Sequence, residues 1–262
     1  MDAATLKRRV LASEPVHGAM IFECFTPGIA QIMANAGCDF VLYDMEHTGV
    51  GIESMKWQVA CCRGLGIVPL ARPPRGEYRD IATLLDVGMA GVMIPMVESA
   101  AQARAIVEAA HYPPRGRRGA AFGFAHDAYK SGPPADKITA AAEATLVIAQ
   151  IETERGLAHV EEIAAVEGID VLWVGHFDLT NFLGIPGAFD DSRFTDALDR
   201  IVKAGRAAGK GLGFLPGDAA TAAAYADRGF NMLAAGTDMA LLASGVRTIL
   251  DGAASANSGG TA

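Results

Sequence analysis

No stretch of these 262 residues is long and apolar enough to span a bilayer, and residues 1–10 are polar and basic with no apolar run behind them. Export and membrane insertion are not expected, and the expected location is cytoplasmic. Cysteine is scarce. Cys24, Cys38, Cys61 and Cys62 show no Cys-x-x-Cys spacing and each sits in an apolar segment, so reduced, buried thiols are expected. Positive charge is in deficit: a formal net charge of −8 argues against nucleic acid or an anionic membrane as partner. The lysines (Lys7, Lys56, Lys130, Lys137, Lys203, Lys210) all miss the carboxyl ends of the expected strands. Imine chemistry needs a buried amine there, so a Schiff-base mechanism is not expected. No Gly-x-Gly-x-x-Gly or Walker-type loop follows a strand, so no nucleotide site is indicated.

What the chain has is apolar residues, 51% of the total, at a length that suits one large α/β domain. Apolar runs recur at 19–22, 38–43, 67–71, 91–95, 146–151, 171–174, 211–215 and 230–234, with helical segments between most of them. Such runs suit strands covered on both faces. Eight of them, alternating with helices, predict a (β/α)₈ barrel over residues 1–251, with an open doubly wound sheet as the alternative. Residues 112–134, rich in Pro, Gly and Arg, predict a long loop that is functional or mobile. Residues 252–262 lack periodicity and predict a disordered tail.

In a barrel the working side chains gather at the carboxyl ends of the strands. Here those ends read Glu23, Asp44 with Glu46 and His47, Arg72, Pro95, Glu152, Asp178, Pro216 and Asp238. The central unit is the βαβ segment that ends its two strands in Glu152 and Asp178. Parallel strands put both carboxylates at one rim, where they repel unless a hard cation such as magnesium or manganese lies between them. The alternative is that each caps the helix that follows or pairs with Arg155. Arg72 at a strand end can clamp a carboxylate or stabilise an enolate oxygen, or else form a structural ion pair with Asp44 or Glu46. His47 can act as a base with its tautomer fixed by a neighbouring acid, or be structural. Asp86 ends a helix before Gly88, or orients a water or His47. The turn Gly175-His176-Phe177-Asp178 opens a helix whose N–H groups suit a substrate carboxylate. Arg115, Arg117 and Arg118 suit a substrate anion or a subunit contact, or are merely solvated.

Six motifs occur in order: Asp44-Met45-Glu46-His47, Leu84-Leu85-Asp86-Val87-Gly88, Pro95-Met96-Val97, Tyr112-Pro113-Pro114-Arg115-Gly116-x-Arg118-Gly119, Gln150-Ile151-Glu152-Thr153 and Gly175-x-x-Asp178-Leu179. Together they resemble the HpcH/HpaI aldolases, the metal-dependent class II pyruvate aldolases, over roughly residues 18–249. The resemblance implies a (β/α)₈ barrel of the phosphoenolpyruvate/pyruvate type, a homohexamer built from dimers, and a last helix exchanged between subunits. It implies reversible cleavage of 4-hydroxy-2-oxo acids to pyruvate and an aldehyde with a divalent cation, Mg2+, Mn2+ or Co2+. By match, Glu152 and Asp178 would hold the metal and Arg72 would stabilise the enolate. His47 would move protons with Asp44 or Asp86, while Gln150 and Gly175 to Asp178 would position the pyruvyl end.

One departure stands out: His176-Phe177 replaces the Pro-small pair found in many members. It is expected to alter the range of aldehydes accepted. The rival enzyme reading is an acyl-CoA carbon–carbon lyase similar to the citrate lyase β-subunit, and the rival non-enzyme reading is an oxo-acid sensor.

Overall fold

The structure, a computed structural model, describes residues 1–258. The chain runs α1 (Ala3–Leu11), β1 (Val16–Ile21), α2 (Ile29–Asn35), β2 (Phe40–Asp44), α3 (Ile52–Cys62), β3 (Val68–Arg72), α4 (Tyr78–Asp86), β4 (Gly91–Ile94) and α5 (Ala100–Ala110). After a 3₁₀ turn (Ala125–Asp127) come α6 (Pro134–Ala144), β5 (Leu146–Ile151), α7 (Glu154–Ala158), α8 (Val160–Ala164), β6 (Val171–Val174) and α9 (His176–Phe182). The last elements are α10 (Ser192–Ala207), β7 (Gly211–Phe214), α11 (Ala219–Arg228), β8 (Met232–Thr237) and α12 (Asp238–Ser258). The strands pair in sequence order, all parallel, and β8 closes on β1, so the open-sheet alternative is excluded.

Alternation along each strand builds two layers. Phe40 and Leu42 of β2 point into the barrel with Leu70, Met93, Ile148 and Trp173, while Val41 and Tyr43 face the helices. Interior packing of this kind fills the barrel instead of leaving a pore. Gly213 makes room for the largest interior ring: a Cβ there would lie 2.1 Å from the Trp173 indole. At the amino-terminal end, Leu6 and Val10 of α1 plug the interior, and Lys7 pairs with buried Asp170 at 3.0 Å.

Three expectations need correction. The single helix expected between β5 and β6 is two, broken at His159. Helix α6 went unpredicted because it buries no residue and so carries no apolar stripe to read. Of the expected disordered tail, residues 252–258 are helical, as the end of α12. The rest of that expectation, residues 259–262, lies outside the described residues.

Candidate active site

Asp44 and Arg72 end β2 and β3 as direct ladder partners, and both are buried. Arg72 Nε donates to Asp44 Oδ1 at 2.5 Å and lies 3.2 Å from Glu46 Oε2. Its Nη1 donates to Gln150 Oε1 at 3.4 Å. Gln150 Nε2 in turn donates to Glu152 Oε2, and the Met96 N–H donates to Glu152 Oε1 at 2.6 Å. A connected polar line therefore crosses the carboxyl rim from β2 to β5. Met96 makes its contribution from a left-handed backbone, φ 53°, which is uncommon for a side chain of its kind and is the sort of local strain that clusters at working sites.

Neither alternative for Glu152 holds. Thr153, not Glu152, caps α7 by accepting the Gly156 N–H, and Arg155 faces Glu98 at 3.8 Å. Glu152 instead sits in excess negative charge. Burial pushes its carboxyl up to about 7, with Glu46 and Asp178 adding to the rise and the Met96 N–H and Arg72 opposing it. Glu46 is likewise raised by burial, and its Oε2 is buried without a hydrogen-bond partner. At Gly175 a Cβ would fall 2.3 Å from Glu152 Oε2 and 2.6 Å from Gln150 Nε2, so only glycine lets the end of β6 approach so closely. Among the described residues no group of three or more His, Cys, Asp or Glu comes together to enclose a metal. Two carboxylates with water in the remaining positions suit a hard divalent cation, and buried Glu152, repelled by half-buried Glu46 and Asp178, fits such a charge.

The remaining candidates divide. Asp44 organises the loop after β2: its Oδ2 accepts the His47 N–H at 2.8 Å, and its carbonyl accepts the Thr48 hydroxyl at 2.7 Å. It therefore holds His47 by the backbone and does not meet its ring. The imidazole, 55% exposed, faces Glu46 instead, with Nε2 3.6 Å from Oε2. Glu46, which the sequence offered only as a strand-end acid and an ion-pair partner of Arg72, makes that pairing and also stands beside the His47 ring. Asp86 does not join the site within one chain. It ends α4, close before β4 begins, and so lies at the opposite end of the barrel, where Arg118 Nη2 donates to it at 2.6 Å. The Arg115–Arg118 loop leaves the end of α5 beside Asp86 and leads to α6, so it does not border this rim of its own barrel.

His176 also departs from expectation. Its ring packs 4.9 Å from Phe214 and 5.4 Å from Phe189, and Phe214 belongs to the outer layer between barrel and helices. Burial pushes its pKa down to about 4. His176 thus faces away from Gln150 and Glu152, and it supports the turn from behind. Phe177 is 60% exposed and lines, with Phe214 and Leu241, a cavity of about 820 Å³. Asp178 lies in the first turn of α9, a position whose backbone N–H groups have no partner within the helix.

A barrel with paired acids, an arginine and a glutamine at its carboxyl rim defines a carbon–carbon lyase class here once relatives are considered. Residues 19–245 match the HpcH/HpaI aldolase/citrate lyase family, and the chain belongs to it. It is 38% identical over 243 residues to a hydroxypyruvate/pyruvate aldolase of Delftia acidovorans, covering 92% of this chain and 89% of that one. It is 33% identical to a 4-hydroxy-2-oxo-heptane-1,7-dioate aldolase of Salmonella dublin, covering 81% of this chain and 84% of that one. The crystal structure of an HpcH/HpaI aldolase from Desulfitobacterium hafniense superposes with a TM-score of 0.88 at 32% identity, covering 93% of this chain and 96% of that one.

Proposed function

We propose that the protein is a divalent-metal-dependent aldolase that reversibly cleaves 4-hydroxy-2-oxo acids to pyruvate and an aldehyde. One observation carries this reading: the buried line Asp44–Arg72–Gln150–Glu152 ends beside Asp178, so a fixed guanidinium and a pair of electron-rich acids share one rim.

Glu152 and Asp178 would hold the cation, which when bound supplies Lewis acidity at the oxygens of the 2-oxo acid. Arg72 then donates to the oxygen on which negative charge develops as the carbon–carbon bond breaks. Its Nε and Nη1 are held by Asp44 and Gln150, so its plane is set before substrate arrives. Gln150 keeps Glu152 and Arg72 in register by bonding both. His47, exposed beside Glu46, takes or returns the proton of the 4-hydroxyl group. The first-turn N–H groups of α9 receive the substrate carboxylate.

The same reading makes the enzyme a cytoplasmic homo-oligomer, a hexamer of three dimers with the last helix exchanged. Free thiols at Cys24, Cys38, Cys61 and Cys62 support a reducing compartment. Helix α12 supports exchange: Leu242 is 66% and Ile249 74% exposed, an apolar stripe that its own barrel leaves uncovered.

The deciding experiment follows exchange of the pyruvate methyl protons in deuterium oxide by NMR. Exchange is expected to require added metal and to vanish in Glu152→Gln. Exchange surviving exhaustive chelation, or acyl-CoA cleavage without it, overturns the proposal.

A further inference from the structure

The chain leaves β1 through Phe22, Glu23 and Cys24, and the backbone N–H groups of all three converge on one carboxylate. Phe22 N–H donates to Asp238 Oδ1 at 3.0 Å, while Glu23 and Cys24 donate to Oδ2 at 3.0 and 2.6 Å. Asp238 follows β8 directly, opens α12 and is 4% exposed. Burial alone would raise its pKa, yet the N–H groups of Cys24, Phe22 and Glu23 hold the carboxyl below its ordinary range. The β1–β8 ladder shifts register between Gly18 and Met20, so the backbone pairing that closes the barrel is irregular just below this point. Beyond the last ladder pair, Met20 with Thr237, the Asp238 carboxylate takes over the pairing.

The turn it fixes carries Phe22, whose side chain packs toward the barrel interior. The Arg72 guanidinium lies 5.7 Å from the Phe22 ring centroid. Arg72 is therefore held in two ways: at its edge by Asp44, Glu46 and Gln150, and at its face by an aromatic ring. The edge contacts use Nε and one N–H of Nη1, which leaves the Nη2 N–H groups facing a ligand, and the ring limits how far the guanidinium can tilt.

We infer that Asp238 and Phe22 act as a positioning pair for Arg72: the carboxylate sets the turn after β1, and the turn presses the phenyl ring onto the guanidinium that meets the developing oxyanion. This rests on the aldolase reading above. Neither residue touches the reacting atoms, and neither lies in the metal-holding pair.

The test uses the full-length protein as Phe22→Leu, Asp238→Asn and the double variant, with metal added. Pyruvate proton exchange is followed alongside the Arg72 Nε–H resonance in ¹⁵N-labelled protein. Phe22→Leu is expected to lower the turnover of exchange about tenfold while KM for pyruvate changes less than about threefold, since a contact that aligns a donor is felt mainly in the transition state. The Arg72 resonance should shift as the ring current is lost. Asp238→Asn should produce both effects, and the double variant should be no slower than the worse single one, as expected for residues acting in series. Additive losses, or an Arg72 resonance unmoved in folded Phe22→Leu, overturn the inference. Absence of exchange in the unsubstituted protein would instead remove the aldolase reading, while the resonance still reports on the pair.

Discussion

Asp44 and Arg72 are opposite one another in the β2–β3 ladder, and the backbone register alone brings Nε within 2.5 Å of Oδ1. The pair is buried, and Glu46 Oε2 lies 3.2 Å from the same Nε. Removing one partner of a buried pair typically costs about 3–5 kcal/mol, and Glu46 leaves Arg72 part of its pairing, so a loss near the lower figure is expected. Asp44→Ala should therefore lower the denaturation midpoint strongly and also loosen His47, whose N–H it accepts. Arg72→Lys keeps the charge but loses the fork, and turnover should fall by about 10²–10³ with a much smaller effect on stability. Urea denaturation and steady-state kinetics on the two variants separate these effects.

Glu152→Gln and Asp178→Asn each remove one of the two acids assigned to the cation. Binding of Mn2+, followed by calorimetry or electron paramagnetic resonance, should weaken at least about 10-fold in each variant. Dialysis against chelator should abolish activity in the unsubstituted enzyme, and added metal should restore it. Unchanged Mn2+ affinity in both variants would move the metal elsewhere.

Gly175→Ala tests the close approach at the end of β6. The new methyl group would meet the Glu152 carboxylate and the Gln150 amide, both of which are already tied into the polar line. A destabilisation of about 1–3 kcal/mol is expected from overpacking, with a larger loss of activity than of stability. A variant with full turnover would show that the Glu152 geometry is not critical.

His111 is buried, its Nε2 lacks a partner, and burial first, then Arg115, Lys7 and Arg118, push its pKa down to about 3. Between that value and about 6.5 the unfolded chain binds a proton that the folded one does not. The contribution of this group should thus be complete above about pH 6.5 and fall as pH drops, by up to about 1.4 kcal/mol per pH unit, while the raised carboxyl of Glu152 gives a slope of the opposite sign. His176 adds a slope of the same sign, so the comparison of interest is with His111→Phe. Urea midpoints at pH 7, 6 and 5 (chosen to bracket roughly this range) should fall less steeply in that variant.

Leu242→Glu combined with Ile249→Glu places charge on the uncovered stripe of α12. Light scattering after gel filtration should show a smaller assembly than the unsubstituted protein forms, with the circular dichroism of the barrel retained. An unchanged mass would take α12 out of the interface.

The sequence by itself determined the barrel and most of the rim. Strand burial on both faces leaves continuous apolar runs, so β5 and β6 could be bounded to the residue, and strand-end position singled out Asp44, Arg72, Glu152 and Asp178. What periodicity cannot encode is which way a side chain turns beyond the strand, or which partner it meets there. Tertiary structure alone therefore turned His176 outward onto Phe214 and set Arg118 beside Asp86, whose place at the far end already follows from the order of α4 and β4. It also made Glu46, not Asp44, the neighbour of the His47 ring, and brought the backbone of Met96 and the carboxylate of Asp238 into service. All but the Glu46–His47 contact join residues far apart in the chain through strand register and bent backbone, and they exist only once the barrel has closed.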